Sequence, residues 1–271
     1  ASWTGAIASR LAGVPHVWHL RELPLREHPG EPIFGRRLER RLLSDPRCVL
    51  VCNSGFVRDW YQGTFGRAPA VAYQPVSVPS VAARAARSGV HVAVLGRLHP
   101  AKRQHLVVEA VARLPAELRE RLQVHLHGEP IEPYATQLQA LVDARGLQAT
   151  VHLHGFTPSP HQALADCDLV VLPSVGEAFG RACAEAMLLG VPVIGADSGG
   201  TLELIGAAGS KGRLFRTDDA DALSACIASF LRDPAPFRQR AAAARDWARE
   251  ALAEDAYLET LRSAFASARG K

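Results

Sequence analysis

From residue 89 onward the apolar positions fall into short runs, each closed by Gly or Pro: HVAVLG (91–96), QVHLHG (123–128), TVHLHG (150–155), DLVVLP (168–173) and VPVIG (191–195). Between them lie AKRQHLVVEAVARL, YATQLQALVDARG, SPHQALADC and AFGRACAEAMLLG, with apolar residues at helical spacing. Near-continuous apolar runs predict strands covered on both faces, and their alternation with helices predicts a parallel, doubly wound α/β sheet. Ligands of such sheets bind beyond the carboxyl ends of the strands. The segments after the runs (96–102, 128–130, 155–158, 174–180 and 197–203) therefore share one rim, where chemistry is expected.

Residues 1–80 form a different block. The pattern predicts a helix over 1–12, strand PHVWHL (15–20), helix FGRRLERRLLSD (34–45), strand CVLVC (48–52), helix GFVRDWYQG (55–63) and strand AVAYQP (70–75). VSVPSVAARAARSG (76–89) reads as a linker. The expected domains are 1–82 and 88–236, followed by one long Ala- and Arg-rich helical region over 237–268.

Composition narrows the function class without choosing one. The 271 residues are 48% hydrophobic and 21% charged with mean hydropathy near zero, which excludes disordered and collagen-like chains. No apolar run reaches the ~18 residues of a membrane span. Ala1 is not an initiator methionine and no signal peptide opens the chain, which reads as processed or truncated. Five cysteines with no C-x-x-C pair suggest reduced core thiols in a cytoplasmic protein rather than a zinc site. The net charge of +4 permits an anionic partner, with 28 arginines but only Lys102, Lys211 and Lys271 as lysines.

The densest chemistry lies in residues 172–205. A strand, Gly176 and a helix starting near Ala178 would leave free backbone N–H groups for phosphate or sugar oxygens. Glu177 would stand at that helix start. Glu185 follows eight residues later, a little over two turns, hence on roughly the same face. The competing reading is a capping Glu177 and a solvated Glu185, although Ala184, Ala186, Met187 and Leu188 make an apolar setting for a surface charge. Upstream, Arg97 and Lys102 follow a strand end, where an Arg/Lys pair suits a diphosphate or forms a solvated basic loop. The H-x-H pairs His125/His127 and His152/His154 can in principle ligate zinc. No acidic or cysteine ligand recurs with them, and their strands need not be neighbours. His127 and His154, at the rim, can instead line a nucleotide pocket.

Segment 172–205 also resembles the signature of the family-four retaining glycosyltransferases, which have the two-domain GT-B fold. The matching residues are Pro173-Ser174, Glu177, Phe179-Gly180, Glu185-Ala186-Met187, Gly190, Pro192-Val193-Ile194, Gly199-Gly200 and Glu203. GRLHPAK (96–102) resembles the family's G-R-L-x-x-x-K, which implies that Arg97 and Lys102, beside Gly96, bind the donor diphosphate. The family usually places Gly after this Lys, whereas Arg103 follows here. The resemblance further implies that Glu185 binds the donor ribose. Glu177 and the N–H groups of Ala178, Phe179 and Gly180 would face the donor sugar and phosphates, and the loops at Gly128 and Gly155, with His154, would hold the base. GVPHVWHLRE (13–22) resembles an amino-terminal-domain strand ending in a cleft-facing His, here His19, which implies a contact near the reacting carbon. That domain's opening strands and Gly-rich loop are absent from the pattern. The expected fold is therefore two Rossmann-like α/β domains, the first an incomplete acceptor-side domain, with 237–268 packing back toward it.

The resemblance implies a metal-independent retaining glycosyltransferase with a nucleoside-diphosphate-sugar donor, an open acceptor, no other cofactor and no nucleic-acid partner. The alternative is a catalytically incomplete sugar-nucleotide-binding module of the same fold. A dehydrogenase is disfavoured, because no strand run is followed by G-x-G-x-x-G. FGRRLERRLL, with Phe34, Leu38 and Leu42 on one face and Arg36, Arg37, Arg40 and Arg41 elsewhere, reads as the solvated face of a packed helix and keeps a peripheral membrane contact open.

Overall fold

The computed structural model describes residues 3–23, 35–84 and 86–269. It divides into two compact units, Ala1–Pro75 with Glu250–Lys271, and Val76–Arg249. The expected boundaries at 82, 88 and 236 thus differ from these divisions. The segment read as a linker (76–89) belongs with the second unit, where Arg84 Nη1 and Nη2 donate to the two carboxylate oxygens of Asp168 at 2.7 and 2.8 Å.

Among its described residues, the first unit carries a parallel sheet of β1 (His16–Leu20), β2 (Cys48–Cys52) and β3 (Ala70–Val71), in that order. Helix α1 (Trp3–Ala12) precedes β1, and helices α2 (Gly35–Leu43) and α3 (Gly55–Phe65) connect the strands. Ser54 caps α3 by accepting from Val57 N–H at 3.1 Å, satisfying one donor that the helix cannot pair. The last helix of the chain, α12 (Glu254–Arg269), packs on this sheet, with Ala264, Tyr257 and Leu261 against Val51, Ala72, Val17 and Val49. In the amphipathic pattern of α2, Phe34 and the side chains of Arg36 and Leu38 lie outside the described residues. Arg37, Arg40 and Arg41 are exposed, and Leu42 is buried.

The second unit is built on a six-stranded parallel sheet of β4 (Val90–Leu95), β5 (Leu122–His127), β6 (Val151–Gly155), β7 (Leu169–Leu172), β8 (Val193–Ala196) and β9 (Arg213–Phe215). The strand order is β6-β5-β4-β7-β8-β9, the doubly wound order in which the direction of winding reverses between β4 and β7. Helices α4 (Gln104–Ala112) and α6 (Tyr134–Ala144), with the short α5 (Ala116–Arg119), cover one face. The chain then crosses by α7 (Pro160–Ala165) to α8 (Arg181–Leu189) and α9 (Gly199–Ile205). It returns through α10 (Ala220–Arg232), which packs on α4, to α11 (Ala235–Ala251). Val92, Val94, Val124, Leu126, Val171 and Ile194 form the core under α4, α6 and α10. The five predicted strands lie within a residue or two of those found, whereas β9 was not expected, being a three-residue edge strand. The single helical region expected over 237–268 is two helices, α11 in the second unit and α12 in the first.

Beyond the strand ends β4 and β5 stay locked together. Gly96 N–H donates to His127 O at 3.0 Å, Leu98 N–H to Glu129 O at 2.8 Å and Ile131 N–H to Leu98 O at 3.2 Å. A Cβ at Gly128 would stand 1.9 Å from the Gly96 carbonyl oxygen, so only glycine allows the approach. Gly128→Ala must push the two loops apart, an overpacking cost of about 2–3 kcal/mol. We expect its melting temperature to fall by roughly 5–10 °C by differential scanning calorimetry.

The histidine strands are in fact neighbours, and His125 pairs in register with His152. The rings form a ladder across the sheet rather than a ligand set. Ser88 O lies 3.1 Å from His91 Nε2, His91 Nδ1 lies 2.9 Å from His125 Nε2, and His125 Nδ1 lies 2.9 Å from His154 Nε2. A carbonyl can only accept, so with each ring neutral the ladder runs in one direction, every Nε2 donating. His127 stacks on His154 with centroids 4.6 Å apart. Among the described residues no group of three or more His, Cys, Asp or Glu is arranged to hold a metal ion. Burial, then the neighbouring imidazoles, lowers the pKa of His125 and His127 to about 4, and His154 is lowered for the same reasons. The unfolded chain takes up these protons near the ordinary imidazole pKa of ~6.5, and the folded chain does so only at lower pH. Stability should therefore fall as pH drops from about 6.5 toward 4. Replacing His125 by Gln should flatten the melting-temperature profile in that window and leave the carboxylate-dependent loss below it.

Candidate functional site

A cavity of about 350 Å³ opens where the winding reverses, at the carboxyl ends of β4 and β7. Strands splay apart there because their outgoing helices pass to opposite faces. Its wall includes Leu95 and Gly96 at the end of β4, Leu172, Pro173 and Ser174 at the end of β7, the start of α8, and His161 of α7.

Lys102 reaches this cavity from a 3₁₀ turn over Pro100–Lys102, which His99 caps by accepting from Ala101 N–H at 3.2 Å. The next residue, Arg103, has φ 52°, a left-handed conformation that costs a non-glycine residue about 1 kcal/mol. A glycine at this position would meet the same demand without that cost. Here Arg103 Nη1 pairs at 2.8 Å with Asp218 Oδ1, and Asp218 also has positive φ, at 61°. The backbone carbonyls of Arg97 and Gly96 accept from the buried Gln104 Nε2 at 2.8 and 3.3 Å. Gln104 thereby holds the Arg97 loop; the Arg97 side chain itself is exposed and does not line the cavity.

Helix α8 begins at Arg181, not near Ala178. The groups at its amino terminus are therefore the N–H groups of Arg181, Ala182 and Cys183, which line the cavity, and no side chain caps them. Residues 175–180 form a loop instead, seated on the glycine pair at the start of α9. Gly200 N–H donates to Glu177 O at 2.7 Å, and a Cβ on Gly200 would stand 2.4 Å from Phe179 O. Ser198 Oγ accepts from Gly176 N–H at 3.1 Å. Phe179 is buried, and neither it nor Ala178 lines the cavity, whereas Gly180 does. Glu177 and Glu185 consequently meet the cavity from a loop and a helix, not from one helical face.

The two carboxylates are held differently. Glu177 Oε1 is in hydrogen-bonding contact with Lys102 Nζ, both groups part-exposed. Glu185 is only 6% exposed, so the solvated reading fails. Its Oε1 accepts from Arg181 Nε at 2.8 Å, one helical turn away, which offsets the cost of burying a carboxylate. His161 Nε2 stands 3.6 Å from the same oxygen.

The cavity thus brings together Gly96, Lys102, Glu177, Gly180 and Glu185 of the residues singled out from sequence. Gly128, Gly155 and His154 lie on the same rim at the ends of β5 and β6 but do not line it. His19 belongs to the first unit, where its Nδ1 lies 3.4 Å from the Tyr257 hydroxyl, its Nε2 is buried, and burial and Arg21 lower its pKa. Gln104, His161, Arg181 and Thr201 also line the cavity and were not foreseen. Only Arg181 had a readable signal, its i,i+4 spacing from Glu185.

Residues 85–247, more than half of the chain, match the family model for glycosyl transferases group 1. The chain is 28% identical to a D-inositol 3-phosphate glycosyltransferase of Catenulispora acidiphila, over 98% of this chain and 71% of the relative. It is 37% identical over 127 residues to the D-inositol 3-phosphate glycosyltransferase of Geodermatophilus obscurus, covering 42% of this chain and 27% of that relative. It therefore spans far less than the whole of some relatives that it matches. Among solved structures, Anabaena HepE in complex with UDP superposes with a TM-score of 0.84 at 26% identity, over 97% of this chain and 75% of that one. Two parallel α/β sheets, matching those of the GT-B glycosyltransferases, and a family match that spans the charged cavity lead to one assignment: the chain belongs to the glycosyl transferases of group 1.

Proposed function

We propose that the chain carries the donor site of a retaining glycosyltransferase, which moves a sugar from a nucleoside diphosphate to an acceptor hydroxyl. The observation that carries this reading is one cavity holding an ammonium, an uncapped helix amino terminus and a buried carboxylate. As the bond from the anomeric carbon to the diphosphate breaks, negative charge builds on the leaving oxygens. Lys102 and the N–H groups at the start of α8 are aimed where that charge forms, the largest electrostatic demand of the step. Arg97, exposed on the same loop outside the cavity wall, adds a guanidinium only by turning toward the bound diphosphate. Lys102 then exchanges its partner Glu177 for phosphate oxygens, leaving the Glu177 carboxylate for donor-sugar hydroxyls. Glu185 accepts from the ribose hydroxyls.

The acceptor proton passes to the leaving phosphate on the same face of the sugar, so the reaction proposed needs neither a covalent nucleophile nor a metal. That HepE was solved with UDP, and in further structures with glucose and UDP-glucose, supports a uridine nucleotide and a hexose as first candidates. Reduced, buried cysteines support a cytoplasmic setting, and the exposed arginines of α2 support contact with an anionic lipid surface. No helix among the described residues is long and apolar enough to cross a membrane.

A mass-spectrometric screen of nucleotide sugars against a panel of acceptors should reveal one donor that is consumed. Lys102→Ala and Glu185→Ala should each lower kcat/KM for that donor by roughly 10²–10³-fold. Turnover at the wild-type rate in either variant would overturn the assignment. The competing reading is a sugar-nucleotide-binding module of the same fold. Calorimetric nucleotide binding with no hydrolysis or transfer would select it.

A further inference from the structure

Arg181 enters the reaction as drawn only through its backbone N–H and as the partner of Glu185, yet its side chain is placed for more. It is the first residue of α8, and both it and Glu185 line the cavity. Its Nε donates to Glu185 Oε1 at 2.8 Å, so the guanidinium stands at the cavity wall beside that carboxylate. The remaining N–H groups, on Nη1 and Nη2, have no partner among the described residues, and the side chain is 65% exposed. The fork is therefore open to a ligand. Its setting also runs against the helix. A cation at a helix amino terminus opposes the macrodipole, and the first turn of α8 offers neither an acidic residue nor a side-chain cap. Glu185 meets one edge of the guanidinium. An anion at the open edge would satisfy the fork and the helix terminus together.

The donor-site reading above, on which this proposal rests, gives Glu177 the sugar hydroxyls and Glu185 the ribose hydroxyls. In a nucleoside-diphosphate sugar, the group between sugar and ribose is the diphosphate. Arg181 lies between the two carboxylates in the chain, at the helix start that suits phosphate oxygens. We infer that the Arg181 guanidinium is a second cation for the donor diphosphate, holding phosphate oxygens on Nη1 and Nη2 while Nε stays on Glu185. A planar fork matches two phosphate oxygens, whereas a sugar hydroxyl calls for no charge. Lys102 and Arg181 then approach the diphosphate from the turn after β4 and from the start of α8. The glycosyltransferase resemblance marked Arg97 and Lys102 for this task. Arg97 is exposed off the cavity wall, whereas Arg181 already forms part of it. One side chain thereby ties ribose recognition to phosphate recognition.

Calorimetry can isolate the contribution of the phosphates. UDP, GDP and ADP are titrated into the wild-type chain, and the nucleoside matching the tightest binder is measured by displacement of that diphosphate. The ratio of the two affinities is the gain due to the phosphates. Arg181→Gln should lower that gain by about tenfold or more, the size of a lost charge-assisted contact. Arg181→Lys, which keeps the charge without the fork, should recover part of it. Arg216→Gln removes an exposed cation after β9, outside the cavity wall, and should leave the gain nearly unchanged. The gain is a ratio taken within each variant, so partial misfolding cannot produce its fall. An unchanged gain in Arg181→Gln overturns the proposal and leaves the donor site standing; if nucleoside and diphosphate weaken equally, the arginine acts only through Glu185. A fall in Arg216→Gln as large as that in Arg181→Gln marks the general field of the rim and also overturns the contact. Binding of none of the three diphosphates by wild type overturns the donor-site reading, and the part of Arg181 with it.

Discussion

The site depends on one topological constraint, the reversal of winding between β4 and β7. Neighbouring strands whose helices leave on opposite faces cannot close over their own carboxyl ends, and the charged groups of the cavity gather at that opening. Lys102 comes from the turn after β4, Glu177 from the loop after β7, Glu185 and Arg181 from the helix that follows, and His161 from the helix crossing between the two halves. Burying a carboxylate such as Glu185 is tolerable here because a guanidinium one turn away meets it.

Around that opening the backbone gives way to the side chains. Gly128 lets β5 approach Gly96, and Gly199-Gly200 accept the loop that carries Glu177, so neither contact survives a β-carbon. Arg103 solves a related problem at a cost. It occupies a left-handed conformation without being glycine, and it is tied to Asp218, the other non-glycine residue described with positive φ. Two strained residues held by one ion pair brace the turn that presents Lys102.

Much of this was legible in sequence because it rests on local pattern. Strand runs closed by Gly or Pro are fixed by burial on both faces, and the E-x7-E segment stands out by motif density. What was misread depended on contacts between distant segments. Ala178 and Phe179 have helical spacing, but the Glu177 and Phe179 backbone packs on Gly199-Gly200, and the helix waits until Arg181. The H-x-H strands could not be known to be adjacent, so a hydrogen-bonded ladder of imidazoles looked like a possible ligand set. His161 gave no signal at all, since a single histidine in a short polar helix reads like any other.

The two histidine environments show why identity alone predicts so little. In the ladder, each of three rings finds its partner in another, and burial and the neighbouring rings oppose a positive charge on His125 and His154. They satisfy one another and ask nothing of a ligand. At the cavity the same side chain is left incomplete beside a carboxylate that is itself only part-engaged by Arg181. The difference lies in saturation. A polar cluster that closes its own hydrogen bonds stabilises the fold, whereas a buried nitrogen left without a partner costs free energy that the rest of the fold must offset.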